Sequence, residues 1–305
     1  MSRSEKHTGR AALFVIAASC CFGSISVLTT IALHGGVSLA TVLFWRYAIA
    51  TIALVPIVVR IVRTTDAPQR FSWPLLIFGG VGQTAVSYVS LRALDYISVA
   101  TLAFLFYTYP AWVALYSALR RTDRITPVRL VALLVALVGV GTIVGSPFDA
   151  RISLVGVTLA LASAVIYGVY LPTIDGMQRG MTPMVAALHI TAGSTITFGV
   201  MAAMHGGPFI PQTLAATASI LTLALACTVL GFWLILAGMD TLGPVRTAII
   251  ATIEPFYTTL LGAAVLAQAP GVNTAIGGVL IAIAVIVIQR AGRREATSAA
   301  APEPV

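Results

Sequence analysis

Glu254 stands in the middle of an apolar stretch, directly ahead of Pro255, and no other acidic residue of the chain is so placed. It lies about ten residues into a run that opens at Pro244, which at ~1.5 Å per residue puts it near the middle of a lipid bilayer. An unpaired carboxylate at that depth is expensive, so it must be protonated, paired, or facing water. In a wet cavity it could load and release a proton as water access changes sides, or take part in binding a substrate. Between two helices it would be a structural hydrogen bond, and the residue type alone leaves both readings open. Arg46, about seven residues inside another apolar run, poses the complementary problem. Its guanidinium stays charged and needs acceptors, which could be a substrate carboxylate, Glu254 or helix-end carbonyls; a structural pairing is the plainer reading, and near an interface it can also snorkel. His189 reads as a packed residue, with a proton relay as the alternative.

Two prolines come next. A proline inside a membrane helix frees a carbonyl four residues back and prevents smooth packing of that turn. Pro110 and Pro255 occupy matching places in two halves of the chain, which points to a binding site or a moving joint, with a tolerated static kink as the alternative. Helical spacing also gathers small and polar residues onto single faces: Ser19, Gly23, Ser26 and Thr30; Gly80, Gln83 and Ser87; Ser163, Tyr167 and Tyr170. Such faces bring helices close or line a cavity. The first set suits close packing. Gln83, Tyr88, Tyr107, Trp112, Tyr167, Tyr170, Trp233 and Tyr257 are larger and could line an amphipathic pocket, although some tyrosines and tryptophans belong at the membrane interface instead.

These residues need membrane helices to hold them. The chain is 58% hydrophobic and only 9% charged, so most of it has no polar face to show to water. Ten apolar runs are long enough to span: Ala11–Leu33, Leu39–Val62, Trp73–Leu94, Val99–Leu119, Pro127–Gly145, Ile152–Ile174, Met184–Met204, Leu214–Met239, Pro244–Gln268 and Val272–Gln289. The fold class is therefore all-α integral membrane. With the N-terminus inside, Arg3, Lys6, Arg10, Arg60, Arg63, Arg70, Arg120, Arg121, Arg124, Arg129, Arg179, Arg246, Arg290, Arg293 and Arg294 all face the cytoplasm, and only Arg92 and Arg151 face out. This clustering between apolar runs marks topology and argues against a nucleic-acid partner despite the formal charge of +8. Cys20, Cys21 and Cys227 sit inside apolar runs and form neither a disulfide nor a metal framework.

The halves align without a gap at a shift of 145 residues, the difference between Gly23 and Gly168; Gly35 then meets Gly180, Asp95 meets Asp240 and Pro110 meets Pro255. Three residues after each aspartate, Ser98 and Gly243 are candidate N-caps for the following helix, and Pro244 falls at the first helical position. Five helices per unit make the second half enter the membrane from the opposite side, an inverted-topology repeat. The expected organisation is a cytoplasmic leader 1–10, a first repeat 11–145, a second repeat 146–290 and a disordered cytoplasmic tail 291–305.

This plan, with Phe44-Trp45-Arg46 in the second run, Tyr109-Pro110 in the fourth and Glu254-Pro255 in the ninth, resembles the EamA family of the drug/metabolite transporter superfamily from about Ala11 to Gln289. The resemblance implies a secondary carrier of the cytoplasmic (inner) membrane, often an exporter of amino acids or other small metabolites, with a cavity between the halves. Its partners would be a small-molecule substrate, the bilayer and protons as candidate coupling ion, with no cofactor. Tyr109 stands where the other half has Glu254, so any acidic role is single-copy. The alternatives are an intramembrane enzyme, for which Gly-x-Ser-x-Gly, His-Glu-x-x-His and paired aspartates are missing, and a channel, which would show rings of repeated polar residues. The charge asymmetry predicts that a reporter working only on the outer side stays silent when fused after Arg294; activity there would defeat the ten-helix topology.

Overall fold

Hydroxyls that cap and glycines that turn decide where the helices start and stop. Ser98 accepts the Thr101 amide and opens α4 (Val99–Phe106), and Thr213 accepts the Ala216 amide and opens α9 (Leu214–Thr222). Gly36 and Gly180, both at φ 79°, follow α1 (Arg3–His34) and α7 (Leu154–Met177), in a left-handed conformation that costs glycine nothing. The computed structural model describes residues 3–64, 71–120, 126–144, 153–204, 206–207, 210–242 and 244–299, and among these the regular structure is entirely helical. The cap expected at Gly243, the loop arginines Arg70, Arg121, Arg124 and Arg151, and the end of the tail lie outside the described residues.

The other helices are α2 (Leu39–Thr64), α3 (Gly80–Arg92), α5 (Tyr109–Leu119), α6 (Pro127–Val144), α8 (Pro183–Ala203), α10 (Gly231–Leu242), α11 (Pro244–Ala251), α12 (Glu254–Leu266) and α13 (Val272–Ala299). Among the described residues, seven stretches are long and apolar enough to cross a membrane: Gly9–His34, Leu39–Thr64, Val99–Leu119, Leu154–Met177, Pro183–Ala203, Leu214–Leu242 and Ile249–Leu266. Leu130–Ile143 and Val272–Ile288 are shorter apolar helices. The run expected at Trp73–Leu94 is helical but mixed: a π turn over Leu75–Gly79, then α3, then a 3₁₀ turn over Ala93–Asp95, with Gln83, Thr84, Ser87 and Ser90 diluting its apolar character. α13 continues through Arg290 to Ala299, into the segment whose composition suggests a disordered tail, because arginine, glutamate and alanine all sustain a helix already started. Asp95 pairs with Arg92, while Asp240 is exposed in the last turn of α10. Leu13, Ile52, Val81, Leu134, Leu137, Leu260 and Ile276 are each at least half exposed, the outward apolar surface that lipid accommodates.

Packing repeats across the two halves. α6 packs on α13 and α2 on α8, each helix on its counterpart, and α4 packs on α12, the counterpart of its continuation α5. The pair α3–α7 is matched by α10–α1, and the pair α1–α12 by α7–α5. A two-fold relation between the halves produces this pattern. Glycines bring the backbones together: a Cβ on Gly23 would lie 2.8 Å from Thr258 Oγ1 and 2.9 Å from the Tyr257 ring, and one on Gly168 would lie 2.5 Å from the Cβ of Trp112, the counterpart of Tyr257. The close-packing reading of the Gly23 face is met there. Gly80 and Gly193 bring the α3 run against α8, and a Cβ on Gly193 would collide with the Leu76 carbonyl.

Gly193→Val is accordingly expected to lower stability by about 1–3 kcal/mol through overpacking. Gly141→Ala, at a site with nothing within 4 Å of the added carbon, should be neutral or stabilise by up to ~1 kcal/mol. Thermal unfolding of the purified protein in detergent compares them, and equal melting temperatures would refute this account of the α3–α8 contact.

Candidate functional site

Both counterpart prolines break their helices. α4 stops at Phe106 and α5 resumes at Tyr109; α11 stops at Ala251 and α12 resumes at Glu254. Proline has no N–H, so the carbonyls four residues back, Phe106 and Ala251, lose their helical donors. Threonine hydroxyls satisfy neighbouring carbonyls at each break: Thr108 donates to Leu105 at 2.7 Å and Thr252 to Ile249 at 2.6 Å.

The first break rearranges the aromatic residues. In a continuous helix, residues two apart do not face one another. Here Tyr107 and Tyr109 stand with ring centroids 5.8 Å apart at 76°. Tyr109 meets Tyr167 of α7 at 4.8 Å and 69°, Phe106 meets Tyr167 at 5.4 Å, and Tyr170 continues the series 6.2 Å beyond Tyr167. Glu254 stands in the first turn of α12, half-buried, within electrostatic reach of Tyr107, Tyr109 and Tyr167. Among the described residues its carboxylate has no hydrogen-bond or ion-pair partner, and no basic side chain acts on it. Among the described residues, then, no interhelical hydrogen bond reaches the Glu254 carboxylate. The tyrosines come from the first half and the start of the second, and the carboxylate from near the end of the second.

A polar network adjoins this cluster. Tyr47, within reach of Tyr167 and Tyr170, shares a 2.7 Å hydrogen bond with Ser87. Gln83 donates to both, at 3.0 Å to Tyr47 and 3.1 Å to Ser87. The Gly80, Gln83, Ser87 face therefore divides its labour: the glycine admits α8 and the two polar residues bond with α2. The Tyr170 hydroxyl donates to the Gly79 carbonyl at the end of the π turn, 3.0 Å away, with its ring against Gly82. Tyr88 packs against the hydrophobic cluster that contains Tyr47 and Phe198.

Arg46 is buried, its Nε donating to Thr228 Oγ1 at 3.0 Å and its guanidinium carbon 5.2 Å from the Tyr47 ring centroid. Thr228 lies in a second π segment, Leu223–Leu230, and its hydroxyl bonds back to the Leu223 carbonyl at 2.8 Å. Of the acceptors open to Arg46, this is a structural one. His189 is packed: its Nε2 accepts the Ser72 amide at 3.1 Å and its Nδ1 donates to the Val185 carbonyl at 2.7 Å, leaving neither ring nitrogen for a relay.

Not every aromatic residue expected at the pocket is there. Trp233 is 49% exposed and packs on Phe14 at the α1–α10 contact, so it faces outward. Trp112 fits against Gly168, and Tyr257 packs on Gly23 with its hydroxyl 3.5 Å from the donating Ser24. Conversely, Tyr47, Phe106 and Tyr109 belong to the cluster but were not among the expected pocket residues. The Tyr109-Pro110 step was the available signal for the last of them.

Thr228→Val removes the acceptor of Arg46 while keeping volume. The expected loss is on the order of 1–3 kcal/mol, read as a lower melting temperature, and an unchanged melt would show that the bond contributes nothing.

With this geometry in hand, the EamA-like transporter family model matches the chain twice, over residues 9–145 and 154–290. An uncharacterized inner membrane transporter, YicL of Salmonella typhimurium (strain LT2), is 28% identical over 236 residues, covering 74% of this chain and 75% of that protein. A solved crystal structure of a protein superposes with a TM-score of 0.66 at 20% identity, over 96% of this chain and 99% of the other, a likeness of fold.

Proposed function

Because the chain belongs to the EamA-like transporter family, we propose that it is a ten-helix inner-membrane carrier that exports a small amphipathic metabolite, an amino acid or similar compound, by alternating access. The observation that carries this is the Glu254 carboxylate, without a hydrogen-bond or ion-pair partner among the described residues and within electrostatic reach of Tyr107, Tyr109 and Tyr167, at one of two symmetry-related helix breaks. Burial of a carboxylate is tolerated at such a place when water or a ligand reaches it. The name of the Salmonella relative supports the membrane assigned, and the distribution of basic residues supports ten crossings with both termini inside.

The cycle follows from the joints. The two repeats, 11–145 and 146–290, are the rocking bodies, and Pro110 and Pro255 mark where α4–α5 and α11–α12 flex, since the hydrogen bonds that would stiffen a continuous helix are missing at those turns. Opening to one side admits water and substrate to Glu254; opening to the other releases them. Protonation of Glu254 on one side and its reversal on the other couples substrate movement to the proton gradient. Gln83, Tyr88 and Tyr170 supply further substrate contacts, and Arg46 holds α2 to the second half through Thr228 rather than touching substrate.

Glu254→Gln keeps shape and hydrogen-bonding capacity but cannot titrate. In reconstituted vesicles, proton-driven accumulation should fall to background while substrate exchange persists if coupling is the role. If binding is the role, affinity should fall by tenfold or more in both assays. Transport with unchanged rate and pH dependence would overturn the assignment of Glu254.

A further inference from the structure

We propose that Gln268 is the latch of the outer gate: its side chain ties the end of α12 to the start of α4, and the carrier opens outward only when that tie is released. The proposal rests on the carrier reading and on the topology given with it, which puts both helix ends on the outer side. It adds the residue that controls access there.

Val99 opens α4 and is fully buried, so its amide, one of the donors that a helix leaves unpaired at its N-terminus, must be met from outside the helix. Ser98 caps the Thr101 amide instead. The Val99 amide donates to Gln268 Oε1 at 3.1 Å, across 169 residues of sequence. The aim of Gln268 comes from the way α12 ends. Ala267 is left-handed at φ 56°, the one non-glycine residue with positive φ among those described, and the Gln268 amide donates back to the Gly262 carbonyl at 3.2 Å. Alanine carries a cost in that conformation that glycine does not, and such strain persists where the surroundings hold it. Gly262 itself faces α4: a Cβ there would collide with the Val99 side chain. Close packing and the hydrogen bond thus meet at one residue of α4.

The inverted repeat supplies the comparison. At the shift of 145 residues that brings Gly23 onto Gly168, Val99 corresponds to Pro244, Gln268 to Asp123 and Gly262 to Ser117. Proline has no N–H, so the bond cannot recur at the inner end, and serine brings a side chain where the outer contact needs none. α4 packs on α12, whereas no comparable contact joins their counterparts α11 and α5 among the described residues. This helix pair is therefore latched at its outer end and unlatched at its inner end, an inward-facing arrangement. When α4 and α12 part, water takes the place of the Gln268 oxygen, so the latch biases the cycle without blocking it.

Hydrogen–deuterium exchange of the full-length protein in lipid nanodiscs, resolved by mass spectrometry, reads both ends without a substrate. Gln268→Leu removes the acceptor. Val99→Pro removes the donor at a position that accepts proline: it is the first of the helix, and Ser98 before it is already extended, at φ −67° and ψ 159°. Each variant should speed exchange at the start of α4 and the end of α12 by roughly two- to tenfold. Each should also slow exchange at the end of α5 and in α11, since alternating access closes one end as it opens the other. The double variant should match the single ones, and Gln268→Glu, which keeps an acceptor, should stay within about twofold of the parent. Should Val99→Pro fail to fold, Gln268→Leu, a change outside any helix, decides alone. Unchanged exchange at the outer ends would overturn the latch, and so would faster exchange there without the reciprocal slowing, which would make Gln268 a helix cap and nothing more. Both outcomes leave the carrier reading standing, because that reading is decided by movement of solute into vesicles, which this measurement does not use.

Discussion

A backbone carbonyl in lipid finds no water, so wherever a helix breaks within the membrane the protein must supply the missing donor or admit solvent. The rest of this molecule is arranged around that constraint. Pro110 and Pro255 withdraw donors from Phe106 and Ala251, and Thr108 and Thr252 satisfy the carbonyls beside them. The breaks are held between glycine-bearing helices: α1 approaches α12 at Gly23 and α7 approaches α5 at Gly168, so each weakened helix has a backbone pressed against it.

The same economy separates polar residues that tie helices together from one that is left without a tie. Arg46, for which a substrate carboxylate was one of several candidate acceptors, is tied to Thr228 and lies over Tyr47, joining α2 to the second half. His189 is likewise occupied at both nitrogens, fixing the entry to the α3 run through the Ser72 amide. Glu254 alone among these ionisable groups lacks such a tie within the described residues, and it stands beside phenols whose rings pack on one another. A carrier needs both sorts of polar residue. A satisfied one keeps helices together through a conformational cycle, and an unsatisfied one gives a ligand a reason to bind.

Much of this was legible in the sequence for one reason: lipid imposes apolar runs of a set length and leaves arginines at their ends. The symmetry of the halves could be read from Pro110 and Pro255, and the close approach at Gly23 from residue size alone. What escaped is instructive. Tyr109 was visible only as part of a short motif, since no helical wheel places it beside Tyr107; the turn at Thr108 does that, after the helix has failed. Trp233 has the composition of a pocket residue, but a periodicity argument cannot distinguish a face turned to a cavity from one turned to lipid, and it packs on Phe14 instead. The partner of Arg46 lies 182 residues away in sequence, beyond any local pattern.

The π turns at Leu75–Gly79 and Leu223–Leu230 lie in counterpart runs, each just before or around a polar residue that bonds to α2: Gln83 in one half and Thr228 in the other. A π turn accommodates one residue more than an α turn over a comparable rise. If that surplus migrates along the helix, the residues it passes change phase by about 100° while nearly every backbone bond is kept. These two runs therefore have a means of turning a polar side chain about the helix axis without bending, by twist where a proline break would allow flexure.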